Sequence, residues 1–106
     1  MSDPVAEALR SLRRTYLDEA PARVGELRRA AAALRDLDEA AETTLTTLLH
    51  RLAGSGGAYG FPAVSVIARE LEHVLRSEPE WTDARLAELE AGIGRIEAEF
   101  LRAASG

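Results

Sequence analysis

The chain has 106 residues, with 18 acidic residues against 13 basic ones and a formal net charge of −5. Every basic residue is Arg and there is no Cys, which excludes lysine Schiff bases, phosphate-loop lysines, thiol nucleophiles, disulfides and Cys-based metal centres. The length suits one domain over residues 1–106, the acidic balance argues against nucleic acid as a partner, and no apolar run is long enough to span a membrane.

Met1-Ser-Asp-Pro4 lacks the basic start and apolar run of a targeting signal, so a cytoplasmic location is expected. Ala and Leu dominate, and no window alternates apolar and polar residues as a strand would. Asp3-Pro4 reads as an N-cap with Pro in the first turn, followed by Val5, Leu9, Leu12 and Tyr16 at helical spacing. Pro21 either kinks that helix or opens a second one, whose stripe is Val24, Leu27, Ala31 and Leu34. Asp36-Leu-Asp38 is the expected turn, with Asp38 as a cap. A third helix runs from about Glu39 with Leu45, Leu48, Leu49 and Leu52 on one face, and the glycines at 54, 56, 57 and 60 end or loosen it. Pro62 opens a fourth helix with the stripe Val64, Ile67, Ala68, Leu71, Val74 and Leu75, closed by Ser77-Glu-Pro-Glu80. Thr82 caps the last, which carries Leu86, Leu89, Ile93, Ile96 and Phe100. Short connections make neighbours antiparallel, so the expected fold is all-α: an up-down antiparallel four-helix bundle with an N-terminal helical extension.

On a wheel of roughly 100° per residue, the leucines of the third helix cluster within about 50° of their mean direction, and His50 lies about 150° away from it. Its helical neighbours are Thr46, Thr47, Ala53 and Gly54, with Gly57 one further turn on if the helix continues. All are small. A lone exposed His is ordinarily a solvated surface residue, but a helical Gly costs roughly 1 kcal/mol against Ala. The cleared face therefore reads either as loosening at a helix end or as access for a flat partner surface.

The stretch His50-Arg-Leu-Ala-Gly-Ser-Gly-Gly-Ala-Tyr-Gly-Phe61, with Leu71-Glu72 downstream, resembles the signature of histidine phosphotransfer (HPt) domains. It is also similar to the phosphotransfer domain of chemotaxis histidine kinases. The matching positions are His50, Leu52, Gly54, Ser55, Gly60 and Leu71-Glu72, and the length and helix order fit the whole chain. The resemblance implies that His50 accepts a phosphoryl group from a phospho-aspartate on a receiver domain, or from a histidine kinase, and passes it on. It implies a phosphocarrier rather than an enzyme with its own kinase activity, with response-regulator receivers or a (hybrid) histidine kinase as partners. Neutral imidazole is a competent nucleophile near pH 7. The receiver would supply Mg²⁺, so no cofactor or metal of the chain's own is implied, and a monomer is expected.

Glu72 matches the position of a Glu that hydrogen-bonds the acceptor His in the chemotaxis phosphotransfer domains, a resemblance that implies one ring nitrogen kept protonated and the other nucleophilic; otherwise it is a solvent-exposed helix Glu, alone or paired with an Arg. Arg51, Ala53, Gly54, Gly57, Phe61 and Arg69 are the candidates for the docking patch and phosphate surroundings, with Leu49 either among them or in the core. The pattern departs at His+3, where many members have Lys and this chain has Ala53. Arg51 or Arg69 could replace that ammonium, or the site could work without one. The alternative is a degenerate helical module that docks receivers or kinases without phosphotransfer.

Other motifs carry less. Glu70-Leu-Glu-His73 is one copy of a di-iron half-motif that needs two copies and two further Glu. Gly54-Ser-Gly-Gly57 lacks the strand and Gly-Lys of a phosphate loop. Ser55 with His50 has no visible oxyanion hole to make a triad. Trp81 either anchors the turn before the last helix or marks a contact surface.

Overall fold

Asp3 opens the chain's first helix by accepting a hydrogen bond from the Val5 amide, with Pro4 behind it. The computed structural model describes residues 3–77 and 80–105; Glu78 and Pro79, part of the expected close of the fourth helix, lie outside the described residues. Five helices follow in order: α1 Pro4–Asp18, α2 Ala20–Arg35, α3 Ala41–Ala58, α4 Pro62–Ser77 and α5 Asp83–Ser105. Pro21 thus opens a second helix at its first turn, where its missing N–H costs nothing.

The ends of α2 and α3 share one device. In each, the sixth residue's amide bonds back to the first residue's carbonyl, Asp38 to Ala33 at 3.0 Å and Phe61 to Gly56 at 2.7 Å. The residue before it takes a left-handed conformation, Leu37 at φ 63° and Gly60 at φ 88°. Gly60 is therefore the glycine that stops α3. The three before it, Gly54, Gly56 and Gly57, stay inside the helix. Asp38 Oδ1 accepts from the Ala40 amide at 3.0 Å and sets the turn into α3.

The helices α2 to α5 pack as an antiparallel ring, α3 between α2 and α4, and α5 closing onto α2. The core is the set of stripes read from the sequence: Leu27, Leu45, Leu49, Val64, Leu75, Leu89, Ile93 and Ile96 are essentially inaccessible. Leu48 departs from that expectation. It is half-buried on the α2–α3 flank, where Arg23, Glu26 and Arg51 line the same groove. Leu49 lies wholly in the core.

α1 runs alongside α2 and α5, as an extension would, and reaches the end of α3 through Tyr16. Of its stripe Tyr16 alone is buried, while Val5, Leu9 and Leu12 are exposed. Tyr16 stacks on Tyr59, meets Phe61 and Phe100, and shares a 2.7 Å hydrogen bond with Ser55. Burial pushes its phenol above the ordinary value, so it stays a neutral hydroxyl at physiological pH. No described helix is long and apolar enough to cross a membrane.

Arg85 has no counterpart in the hydrophobic pattern. It is buried near the start of α5, and its guanidinium donates to the carbonyls of Val74, at 2.5 Å, and Glu80 while stacking on Trp81. It thereby adds a charged donor to the Val74 carbonyl in the last turn of α4, where backbone carbonyls lack a backbone partner within the helix; the same carbonyl also accepts from the Ser77 hydroxyl. Replacing Arg85 by Ala should cost about 1–3 kcal/mol in urea unfolding, because two carbonyls lose a charged donor. An unchanged midpoint would show that water replaces the guanidinium at no cost.

Candidate functional site

α3 packs tightly against the start of α4 at Gly56, where α3 has no side chain. A Cβ on Gly56 would lie 3.2 Å from Val64 Cγ1, 3.3 Å from the Ser65 amide nitrogen and 3.4 Å from the Phe61 carbonyl oxygen. Next to this contact the buried Ser65 hydroxyl donates to the Ala53 carbonyl at 2.5 Å. These two contacts fix how far α4 slides along α3. From there, going back along α3 corresponds to going forward along α4, and further along the seam His50 faces Glu72. His50 Nδ1 stands 3.5 Å from Glu72 Oε2, slightly longer than an ordinary hydrogen bond.

The two side chains differ sharply in environment. The His50 side chain is 81% exposed, and that of Glu72 is 7% exposed. The carboxylate is thus held in the α3–α4 seam beneath an imidazole that stands in solvent. Nδ1 faces the carboxylate, and Nε2 has no hydrogen-bond partner among the described residues. A donated Nδ1–H would leave the Nε2 lone pair free as a nucleophile.

The remaining candidates divide by location. Gly54 and Gly57 are exposed beside His50, and a Cβ on Gly54 would meet nothing within 4 Å. Internal packing therefore does not account for the glycine at 54. Arg51 is exposed on the α2–α3 groove with Arg23 and Glu26, and Arg69 is exposed on a groove with Val66, Glu70 and His73. Ala53 and Phe61 do not lie on the surface where the motif places them. They are 4% and 5% exposed, so neither can line a docking surface. Ala53 sits on the edge of α3 that α4 covers, and Phe61 enters the aromatic cluster of Tyr16 and Phe100; both support the patch from beneath.

Sequence reading missed two residues. Ser65 positions the helices, and Arg76 Nη2 lies 3.8 Å from Glu72 Oε2, the same oxygen that faces His50. Arg76 follows Glu72 by one turn, which is visible in the sequence, but only the pairing of α3 with α4 brings it to the histidine. Glu70 and His73 lie apart from this site, and among the described residues no group of three or more His, Asp or Glu could hold a metal ion.

A family model described as "Hpt domain" matches residues 11–99, from within α1 to near the end of α5. No curated protein and no solved structure matches the chain.

The two inner glycines of α3 should respond in opposite directions. Gly56→Ala forces a Cβ against backbone atoms of the α3–α4 connection and should destabilise the protein by about 1–3 kcal/mol. Gly54→Ala meets no neighbour and should stabilise it by up to about 1 kcal/mol through helix propensity. Paired urea titrations check both; equal effects would contradict the packing at Gly56.

Proposed function

The chain belongs to the Hpt domain family, and from that premise we propose that it carries phosphate on His50 between the aspartates of receiver domains, or from a histidine kinase to a receiver. Membership in the family supports a phosphotransfer role in two-component signalling. The observation that carries the finer reading is the 3.5 Å approach of Nδ1 of a solvent-exposed imidazole to the buried Glu72 carboxylate.

In the transfer, the Nε2 lone pair forms the N–P bond while the O–P bond to the donor aspartate breaks. The aspartate leaves as a carboxylate with the electron pair. Nδ1 keeps its proton, so the phosphorylated ring is cationic. Glu72 offsets that charge and keeps the ring oriented, a positioning role at no cost in reorganisation. Phosphoryl transfer otherwise demands alignment and charge neutralisation, and the receiver's Mg²⁺ supplies the latter. The domain's share is an accessible, fixed imidazole, and an uncovered Gly54 one turn along lets a partner surface approach it.

The family's frequent Lys at His+3 is Ala53 here, and this favours a second reading, a docking module without phosphotransfer. A single experiment separates the two. Incubation with a phosphorylated receiver should give acid-labile, alkali-stable label on the wild-type protein. His50→Gln should fold normally, since the side chain is almost fully exposed, and take no label. Label persisting in His50→Gln would refute the assignment, and unlabelled wild type that still binds the receiver would establish the docking module.

A further inference from the structure

A phosphorylated His50 would be steadied by a cation of the domain's own, and the position where the family often carries one is Ala53 here. A phosphoryl group brings roughly two negative charges at neutral pH, next to a buried carboxylate. The side chain at His+3, Ala53, is a buried methyl. Arg51 lines the groove on the α2 side of α3, the flank away from α4. Arg69 lines the groove with Glu70 and His73, and no ion pair links it to Glu72 among the described residues. Arg76 is different. Its Nη2 is 3.8 Å from Glu72 Oε2, and that oxygen is 3.5 Å from His50 Nδ1.

The geometry points to Arg76 as the cation of this site, taking by way of Glu72 the place of the ammonium that is absent at residue 53. This rests on the reading of His50 as phosphoacceptor. One carboxylate oxygen faces both a ring nitrogen and a guanidinium. Before transfer the ring is neutral and Arg76 is the only full charge opposite Glu72 among these three groups. After transfer the ring is cationic and takes over the carboxylate. The guanidinium, 69% exposed on a long side chain, is then released toward the phosphoryl oxygens, for which its planar fork is suited. Residues i and i+4 on a helix stand about 5–6 Å apart at Cβ, so this exchange asks only for side-chain rotation. Arg76 thereby positions Glu72 in the resting site and steadies the phosphorylated one. It stands on the Thr46 side of His50, one turn forward along α4, whereas a residue at His+3 stands on the Gly54 side.

The test uses the intact chain and potassium phosphoramidate, a donor that involves no partner docking. Nε2 forms the N–P bond as the P–N bond of the reagent breaks and ammonia leaves with the electron pair. Wild-type protein should label at His50. Arg76→Ala should label about tenfold more slowly, a loss of about 1.4 kcal/mol in barrier terms, and lose its label faster. Arg76→Lys should recover most of both rates, and thermal unfolding of both variants should match wild type. A purely structural role for Arg76 would move unfolding and leave the Lys variant no better than Ala. Equal labelling and equal label lifetime in wild type and Arg76→Ala would overturn this inference alone, as would a loss carried by Arg51→Ala or Arg69→Ala in its place. A wild-type chain that takes no label at His50 would overturn the phosphoacceptor reading and this inference with it.

Discussion

The site depends on the place where α3 and α4 meet without an intervening side chain. Gly56 lets the backbone of the α3–α4 connection approach to the distances at which a Cβ would already be crowded, and the Ser65 hydroxyl bonds across to the Ala53 carbonyl. A slide of α4 by one turn would carry Glu72 about 5.4 Å away from His50. Interiors packed this closely do not deform continuously, so the histidine and the glutamate meet because the glycine contact permits one register. The Schellman turn at Gly60, which delivers the chain into α4 through the Phe61 amide, belongs to the same constraint.

Around that contact the division of labour is plain. The leucine and isoleucine stripes of α2 to α5 supply the burial that holds the bundle, and the aromatic cluster of Tyr16, Tyr59, Phe61 and Phe100 ties α1 to the C-terminal end of α3. Polar groups inside the structure each serve a backbone or a neighbouring side chain: Arg85 closes α4, Ser65 joins α3 to α4, and Glu72 faces His50. The ion pairs between α2 and α5, Arg28 with Glu97 and Arg35 with Glu90, are exposed and contribute little beyond register. His50 stands clear of all of this, so its chemistry can be altered without cost to the fold.

Much of the architecture was legible from periodicity. The stripes marked the faces, Asp3, Pro62 and Thr82 marked starts, and short connections implied antiparallel neighbours. The direction of His50 followed from the wheel alone, because it lies opposite the leucines. What failed to follow depended on tertiary contact. Three glycines in four residues read as either the end or a loosening of the helix, and α3 runs through them, with Gly56 packed on α4. Ala53 and Phe61 belonged to a motif associated with a surface, but each is covered by a neighbouring element the motif does not describe. Leu48 shared a stripe with buried leucines and ended at the open α2–α3 flank. Arg76 and Arg85 carried no pattern of their own, since each acts through a helix that only the fold brings near.

The seam between α3 and α4 turns one ring nitrogen of His50 toward Glu72, and in the proposed role the other takes the phosphoryl group. Nitrogen-edited NMR of the protein phosphorylated and ¹⁵N-labelled at histidine reads this directly. Phosphate is expected on Nε2 of His50 with a proton retained on Nδ1. Phosphate on Nδ1, or on His73, would contradict it.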